Sequence, residues 1–352
     1  MPPKKSISEV INEVKLKTQS SSHGYGDTVY NLIPVFPFNK IGKHVRLGLA
    51  SFSMDIVFQI LEDDERTGAF YYYFKCDKVG QGYCDFFFYC IEEIIKKYDL
   101  DILIFNEYSF PSFLYQKGKY SKYNHKIIRD RIDALANKGN IVIFPGTLNV
   151  CDKTLKRDFG YAQGYLFQPK EDYVRVKKCT QAEAWDKIRG RMVDTEGFRS
   201  SNKYKLSIFR TCLGDFAISI CADFINKNHD RHFLHDFVRL EYKPSHYDVN
   251  KELSLLIAPS RDESKIVEKR AESISQRTSF FVAYVNSLEY YKGDEMESSN
   301  IFLEGEKISC LSKKDFKKAE YRAFLKTYDL NFSEPQRRRF MNKKIISTIE
   351  ER

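Results

Sequence analysis

The sequence predicts a mixed α/β protein, and three observations carry that reading. Short apolar runs rich in Val, Ile, Leu and Phe alternate with longer stretches of helical apolar spacing from about residue 45 to residue 286. Some neighbouring runs are separated only by turn residues, so hairpins are interleaved with strand–helix–strand units. Three of the apolar runs also end on residues that carry chemistry. Ile102-Leu-Ile-Phe-Asn-Glu107 ends on a carboxylate, Tyr173-Val-Arg-Val-Lys-Lys178 on ammonium groups and Phe216-Ala-Ile-Ser-Ile-Cys221 on a thiol.

In chain order, residues 1–42 open with a polar segment that includes Gln19, Ser20, Ser21 and Ser22, and read as an N-terminal extension. Val45–Ser51 alternates as a first strand. Residues 55–84 read as an insertion: Asp63–Gly68 is turn-like and lies between Ile56–Ile60 and the aromatic run Ala69–Phe74, which predicts a hairpin. Alternation sends Phe70, Tyr72 and Phe74 to one face of that strand and Tyr71 and Tyr73 to the other. Phe86–Tyr98 has helical spacing, with Ile91, Ile94 and Ile95 on one face, and leads into the strand that ends at Glu107. Ile127–Lys138 is a helix stopped by Gly139, and Ile141–Phe144 a strand closed by Pro145-Gly146-Thr147. Gly164–Gln168 with Val174–Val176, and Leu206–Arg210 with Phe216–Ile220, read as hairpins. Phe233–Glu241 reads as helix, Leu253–Ala258 as strand before Pro259-Ser260, Lys265–Thr278 as helix and Phe280–Asn286 as strand. Residues 311–352 read as a charged tail, helical in part, with a basic stretch at Arg337-Arg338-Arg339.

Bulk composition bounds the class. A chain of 352 residues with 42% hydrophobic and 30% charged residues has the make-up of a globular protein with a core that needs no staples. No apolar stretch reaches the length of a membrane span, so no membrane partner is expected. Met1-Pro-Pro-Lys-Lys is not followed by the apolar core of a secretory signal. Eight cysteines without C-x-x-C pairs then fit reduced thiols and a cytoplasmic location. A net charge of +9 permits contact with nucleic acid or acidic partners without demanding it. The Arg337–Arg339 run with Lys343 and Lys344 reads first as solvated tail, since the aromatic–basic modules of nucleic-acid binders are absent. His229, His232 and His235 recur every three residues, the spacing of a helix face. A metal site also needs a defined ligand set, so a solvated stripe is the simpler reading.

The strand ends, taken together, suggest a mechanism. A lone cysteine in an apolar strand is most often core filling, and a carboxylate after an apolar run most often marks a strand's exit into water. A thiol attacks an amide carbon as thiolate, which needs a base, and the tetrahedral intermediate needs a donor for its oxyanion. Glu107 is the candidate base. Lys177 and Lys178 compete as the cation. Lys178 shares a strand face with Val174 and Val176, whereas Lys177 shares one with Tyr173 and Arg175, which favours Lys178 unless a bulge intervenes.

The order of these segments resembles the nitrilase superfamily of carbon–nitrogen hydrolases. The resemblance rests on the alternating strand at Arg46–Ser51, the strand ending at Glu107, the Pro145–Thr147 turn, the lysine after a hairpin, and Gly214 leading through Ile220 to Cys221 and Asp223. It continues with Pro259-Ser260, the helical Arg270-Ala271 pair and a strand ending in Asn286. It covers about residues 43–310. It departs at Asn106, where the family usually has proline, and at Cys179-Thr180 after the lysines. It implies a four-layer αββα sandwich with N- and C-terminal extensions, a Glu107–Lys178–Cys221 catalytic set, the backbone N–H of Ala222 as a second oxyanion donor, and no metal or organic cofactor. It also implies a small amide or carbamoyl substrate, with Asp223 favouring amides over nitriles, a supporting glutamate at Glu183 or Glu196, and a homo-oligomer. The alternative is a protein that keeps this fold for binding or regulation and works through its extensions and basic tail.

Overall fold

The computed structural model describes residues 29–34, 44–55, 58–62, 69–74, 78–111, 122–151, 160–178, 183–186, 191–196, 205–211, 214–225, 253–261, 264–278, 280–291 and 295–332. The strands, in chain order, are β1 Val29–Pro34, β2 His44–Phe52, β3 Phe58–Glu62, β4 Ala69–Phe74, β5 Ile102–Phe105, β6 Val142–Phe144, β7 Thr147–Cys151, β8 Gly160–Gln168, β9 Glu171–Lys177, β10 Glu183–Asp186, β11 Arg191–Glu196, β12 Lys205–Thr211, β13 Gly214–Ile218, β14 Leu253–Pro259, β15 Phe281–Val285, β16 Ser299–Leu303, β17 Glu306–Lys307, β18 Ser312–Lys318 and β19 Tyr321–Asn331. The helices are α1 Lys78–Lys97, α2 Lys122–Gly139, the single turn α3 Ala222–Ile225 and α4 Ser264–Ser275.

Two large sheets form the centre. One runs β1-β12-β13-β14-β15-β16-β17, and the other β18-β19-β2-β5-β6-β8-β7 with β9 paired to β8. Within them β2, β5 and β6 are parallel, as are β13, β14 and β15. Each of these strands is buried on both faces, which explains their nearly continuous apolar sequences. Alternate residues go to different cores. Leu47, Leu49, Ile102, Ile104, Val142 and Phe144 meet Leu255, Ile257, Phe281 and Ala283 between the sheets. Phe52, Leu103, Phe105 and Ile143 face the other way, against Phe87, Ile91 and Ile94 of α1 and Ile128 and Ile132 of α2. Leu256, Ala258, Val282 and Tyr284 pack on Val267, Ala271 and Ile274 of α4. The i, i+4, i+7 spacing of the α1 and α4 trios, and of Ile128, Ile132 and Leu135 in α2, supplies one apolar stripe per helix. The layers are therefore helix, sheet, sheet, helix: an αββα sandwich.

The C-terminal expectation needs correction. Residues 312–331 are not a partly helical tail. β18 and β19 form an antiparallel hairpin, and β19 pairs with β2 along its length. The lysines of β18 mask its strand character: Phe316 is its one buried side chain, and the charged residues keep a sheet edge in water. β19 divides its side chains between cores, with Ala323 and Leu325 on the helix side and Tyr328 and Leu330 between the sheets. At the other end, β1 lies inside the segment read as an extension and pairs parallel with β12. In the region read as an insertion, β3 and β4 form the expected antiparallel hairpin, but it joins β10 and β11 in a separate four-stranded sheet, and α1 already begins at Lys78. The side chains of β4 lie outside the described residues, as do residues 233–241, the histidine triplet and the basic stretch beyond residue 332.

Candidate active site

The site lies where strands of both sheets end. Because β13 and β14 are parallel, their carboxyl ends lie side by side, and the N–H of Cys221 donates to the carbonyl of Pro259 at 2.9 Å. Cys221 occupies a sharp turn between β13 and α3 with φ +41, a conformation costly for a residue with a Cβ. The amides of Phe224 and Ile225 return to its carbonyl at 2.8 and 2.9 Å and close the turn. Its Sγ sits 4.0 Å from the carbonyl oxygen of Arg261. Strain of this kind marks a position whose side chain is aimed by its surroundings.

Glu107 follows β5, and side chains around it fix the backbone of its loop. Asn106 accepts the N–H of Phe52 on Oδ1 at 2.7 Å, and its Nδ2 donates to the carbonyl of Glu107 at 3.1 Å. Asn106 therefore ties the end of β2 to the glutamate, which gives the departure from proline a structural role. Tyr108, at φ +61, donates its N–H to Thr147 Oγ1 at 3.1 Å. Ser109 Oγ lies 2.7 Å from the carbonyl of Asn106 and 3.1 Å from that of Pro145. The Pro145-Gly146-Thr147 turn thus clamps the glutamate loop. Gly146 is required there, since its φ is +87 and an added Cβ would come within 2.3 Å of Ser109 Oγ.

Lys178 leaves the end of β9 and donates from Nζ to Glu107 Oε1 at 2.7 Å, with both side chains 1% exposed. Burial alone would drive the lysine towards its neutral form. The charge of Glu107, the electrostatic pull of Cys221, the hydrogen bond to Glu107 and the pull of Asp223 together outweigh it, so the pKa is raised and the ammonium persists. The side chain of Lys177 lies outside the described residues, as do those of Glu183 in β10 and Glu196 in β11.

Arg261, whose carbonyl faces the thiol, and Glu289, which holds its side chain, had no local sequence signal. Arg261 Nε donates to Glu289 Oε1 at 2.9 Å, and Glu289 Oε2 accepts the N–H of Met54 at 3.1 Å and the hydroxyl of Ser287. Met54 and Glu289 are 235 residues apart in the chain, so no window of sequence contains this contact. Cys84 and Cys90 are buried in the helix-side core, as packing residues are. Burial, with a smaller push from Asp85, drives the Cys84 thiol up to about 12.

No family model matches the chain, and no curated protein sequence does. Solved structures do. The NitFhit protein of C. elegans superposes with a TM-score of 0.53 at 10% identity, covering 88% of this chain and 65% of that one. A carbon-nitrogen hydrolase from Helicobacter pylori gives 0.51 at 12% identity, covering 88% of this chain and 95% of the other. Nit3 of Saccharomyces cerevisiae, from branch 10 of the nitrilase superfamily, gives 0.49 at 13% identity over 85% and 94% of the two chains. The chain has the fold of the nitrilase superfamily. At these identities the likeness speaks for the sandwich and its layers alone. Among the described residues, no helix of this nitrilase fold is long and apolar enough to cross a membrane.

Proposed function

We propose that the protein is a thiol-dependent hydrolase of a non-peptide C–N bond in a small amide or carbamoyl compound. The observation that carries this reading is the fully buried Glu107–Lys178 pair, 2.7 Å apart, in electrostatic reach of a cysteine at a strained strand–helix turn. A merely structural role would leave an expensive buried pair beside a strained thiol with no use for either.

In this mechanism Glu107 takes the proton of Cys221 and Sγ attacks the carbonyl carbon. The Lys178 ammonium and the Ala222 N–H hold the oxyanion of the tetrahedral intermediate. Collapse breaks the C–N bond, and Glu107 returns its proton to the leaving amine or ammonia. Glu107 then deprotonates water, which attacks the thioester; collapse releases the acid and restores the thiol. Lys178 stays protonated throughout and acts by charge.

The test is a screen of small primary amides and carbamoyl compounds, with release of ammonia or amine as the signal. Cys221→Ser should remove turnover while keeping the unfolding midpoint, and brief incubation of the native enzyme with substrate should yield an acyl adduct on Cys221 by mass spectrometry. Turnover by Cys221→Ser equal to that of the native protein would overturn the assignment.

A further inference from the structure

We propose that Glu289 is a positioning residue for the nucleophile, acting through Arg261; the inference rests on the reading of Cys221 as that nucleophile. Residues 259–261 form the wall against which the thiol sits. The Pro259 carbonyl accepts the N–H of Cys221 at 2.9 Å, and the Arg261 carbonyl lies 4.0 Å from Sγ. Where that second carbonyl points depends on how Arg261 is anchored. Its neighbour Ser260 is fixed by a bond from its N–H to the Val285 carbonyl at 2.8 Å, and the side chain of Arg261 adds a hold of its own.

That hold is built to be stiff. Arg261 and Glu289 have side chains only 10% and 5% exposed, and they meet through Nε at 2.9 Å. The Arg261 contact with Asp55 is of another kind, 3.9 Å long to a side chain 52% exposed, where solvent screens the attraction. Glu289 is itself immobilised from both sheets. Its Oε2 accepts from Met54 N at 3.1 Å, just past the end of β2, and from Ser287 Oγ, which lies 3.0 Å from the Phe52 carbonyl. The carboxylate thus ties the end of β2 to the chain beyond β14 and β15. A planar guanidinium gripped at Nε has little freedom, so the Arg261 backbone carries a defined carbonyl direction. The thiol it faces must keep its distance from Lys178, whose charge favours the thiolate. A displacement of about 1 Å at a reacting atom can cost about a hundredfold in rate.

The experiment measures iodoacetamide alkylation of Cys221 against pH, by peptide mass spectrometry on the full chain, alongside turnover of the best amide from the screen. Glu289→Gln and Arg261→Lys should each shift the alkylation midpoint to higher pH and slow alkylation at pH 7 by about tenfold. Both should lower kcat by about 10–100-fold with KM within twofold. Asp55→Asn removes only the long, solvent-screened contact of Arg261 and leaves Arg261 on Glu289. It should keep the native alkylation midpoint and kcat. An unchanged alkylation profile in folded Glu289→Gln would overturn the inference and leave the hydrolase reading intact. An equal shift in Asp55→Asn would also overturn it, because the buried grip of Glu289 would then carry nothing that an exposed carboxylate does not. A Cys221 inert to alkylation until unfolding would remove the hydrolase reading and this inference together.

Discussion

Replacing Lys178 by Met tests the centre of the site most directly. Methionine has similar length and volume, so the substitution removes a charge without opening a large cavity. The structure decides which of two energy scales applies. An exposed ion pair contributes about 0–1 kcal/mol, whereas removing one partner of a buried pair costs about 3–5 kcal/mol, because the other charge stays behind without compensation. With Nζ and Oε1 2.7 Å apart and both side chains 1% exposed, the second scale applies. Lys178→Met should therefore lose about 3–5 kcal/mol in urea unfolding at pH 7. The double variant Glu107→Gln with Lys178→Met should recover at least about 2 kcal/mol of the summed single losses, as coupled neighbours do. The pH dependence follows from the raised lysine pKa. A base whose folded pKa lies above its unfolded value of 10.5 contributes fully below that value and loses its contribution as pH rises through the folded pKa. The difference between native protein and Lys178→Met should then be flat from about pH 6 to 9 and shrink only in strong alkali. A loss below about 1 kcal/mol, or a coupling near zero, would show that the pair is solvated and that the argument for a dry catalytic pair is wrong.

The remaining expectations concern the surroundings of the site and a second buried lysine. Gly146→Ala forces a Cβ to 2.3 Å from Ser109 Oγ and 2.4 Å from the Asn106 carbonyl at φ +87, so it should cost about 2–3 kcal/mol and reduce turnover by shifting the Glu107 loop. Of the described buried thiols, Cys221 should be alkylated well before Cys84 and Cys90, whose thiolates burial disfavours; peptide mass spectrometry after brief labelling reads this, and faster labelling of Cys84 would refute it. Lys326 shows the opposite sign to Lys178. It bridges the sheets to the Ser299 carbonyl and Asn300 Oδ1, both at 2.6 Å. Burial lowers its pKa to about 8, with opposed contributions from Glu297 and Cys310, which raise it, and Lys313 and Lys307, which lower it. The unfolded chain then binds more protons between about pH 8 and 10.5, so the stability of the native protein relative to Lys326→Met should grow by up to about 3 kcal/mol across that window. A difference independent of pH would mean that the ammonium is hydrated.

The sequence by itself determined the mixed α/β class, with the layering implied by resemblance, and the places where chemistry could sit. Runs such as Ile102–Phe105 and Leu253–Pro259 are apolar at every position because each strand feeds two cores, and that pattern survives reading in one dimension. So does the coincidence of a carboxylate, a lysine and a cysteine at strand ends. β18 and β19 were not legible, because lysines protecting a sheet edge read like lysines of a solvated tail until the partner strand β2 is known. Asn106 was visible only as a departure from proline; its bond from Phe52 exists only because β2 lies beside β5. Only the tertiary structure decided that Lys178 reaches Glu107, that Gly146 must lack a side chain, and that Arg261 stands beside the thiol with Glu289 gripping its side chain. The physical reason is range. Apolar periodicity and turn chemistry act over a few residues and leave their mark in any short window. Hydrogen bonds and ion pairs between residues 71 or 235 positions apart exist only after the sheets have stacked, and nothing in the local sequence is obliged to announce them.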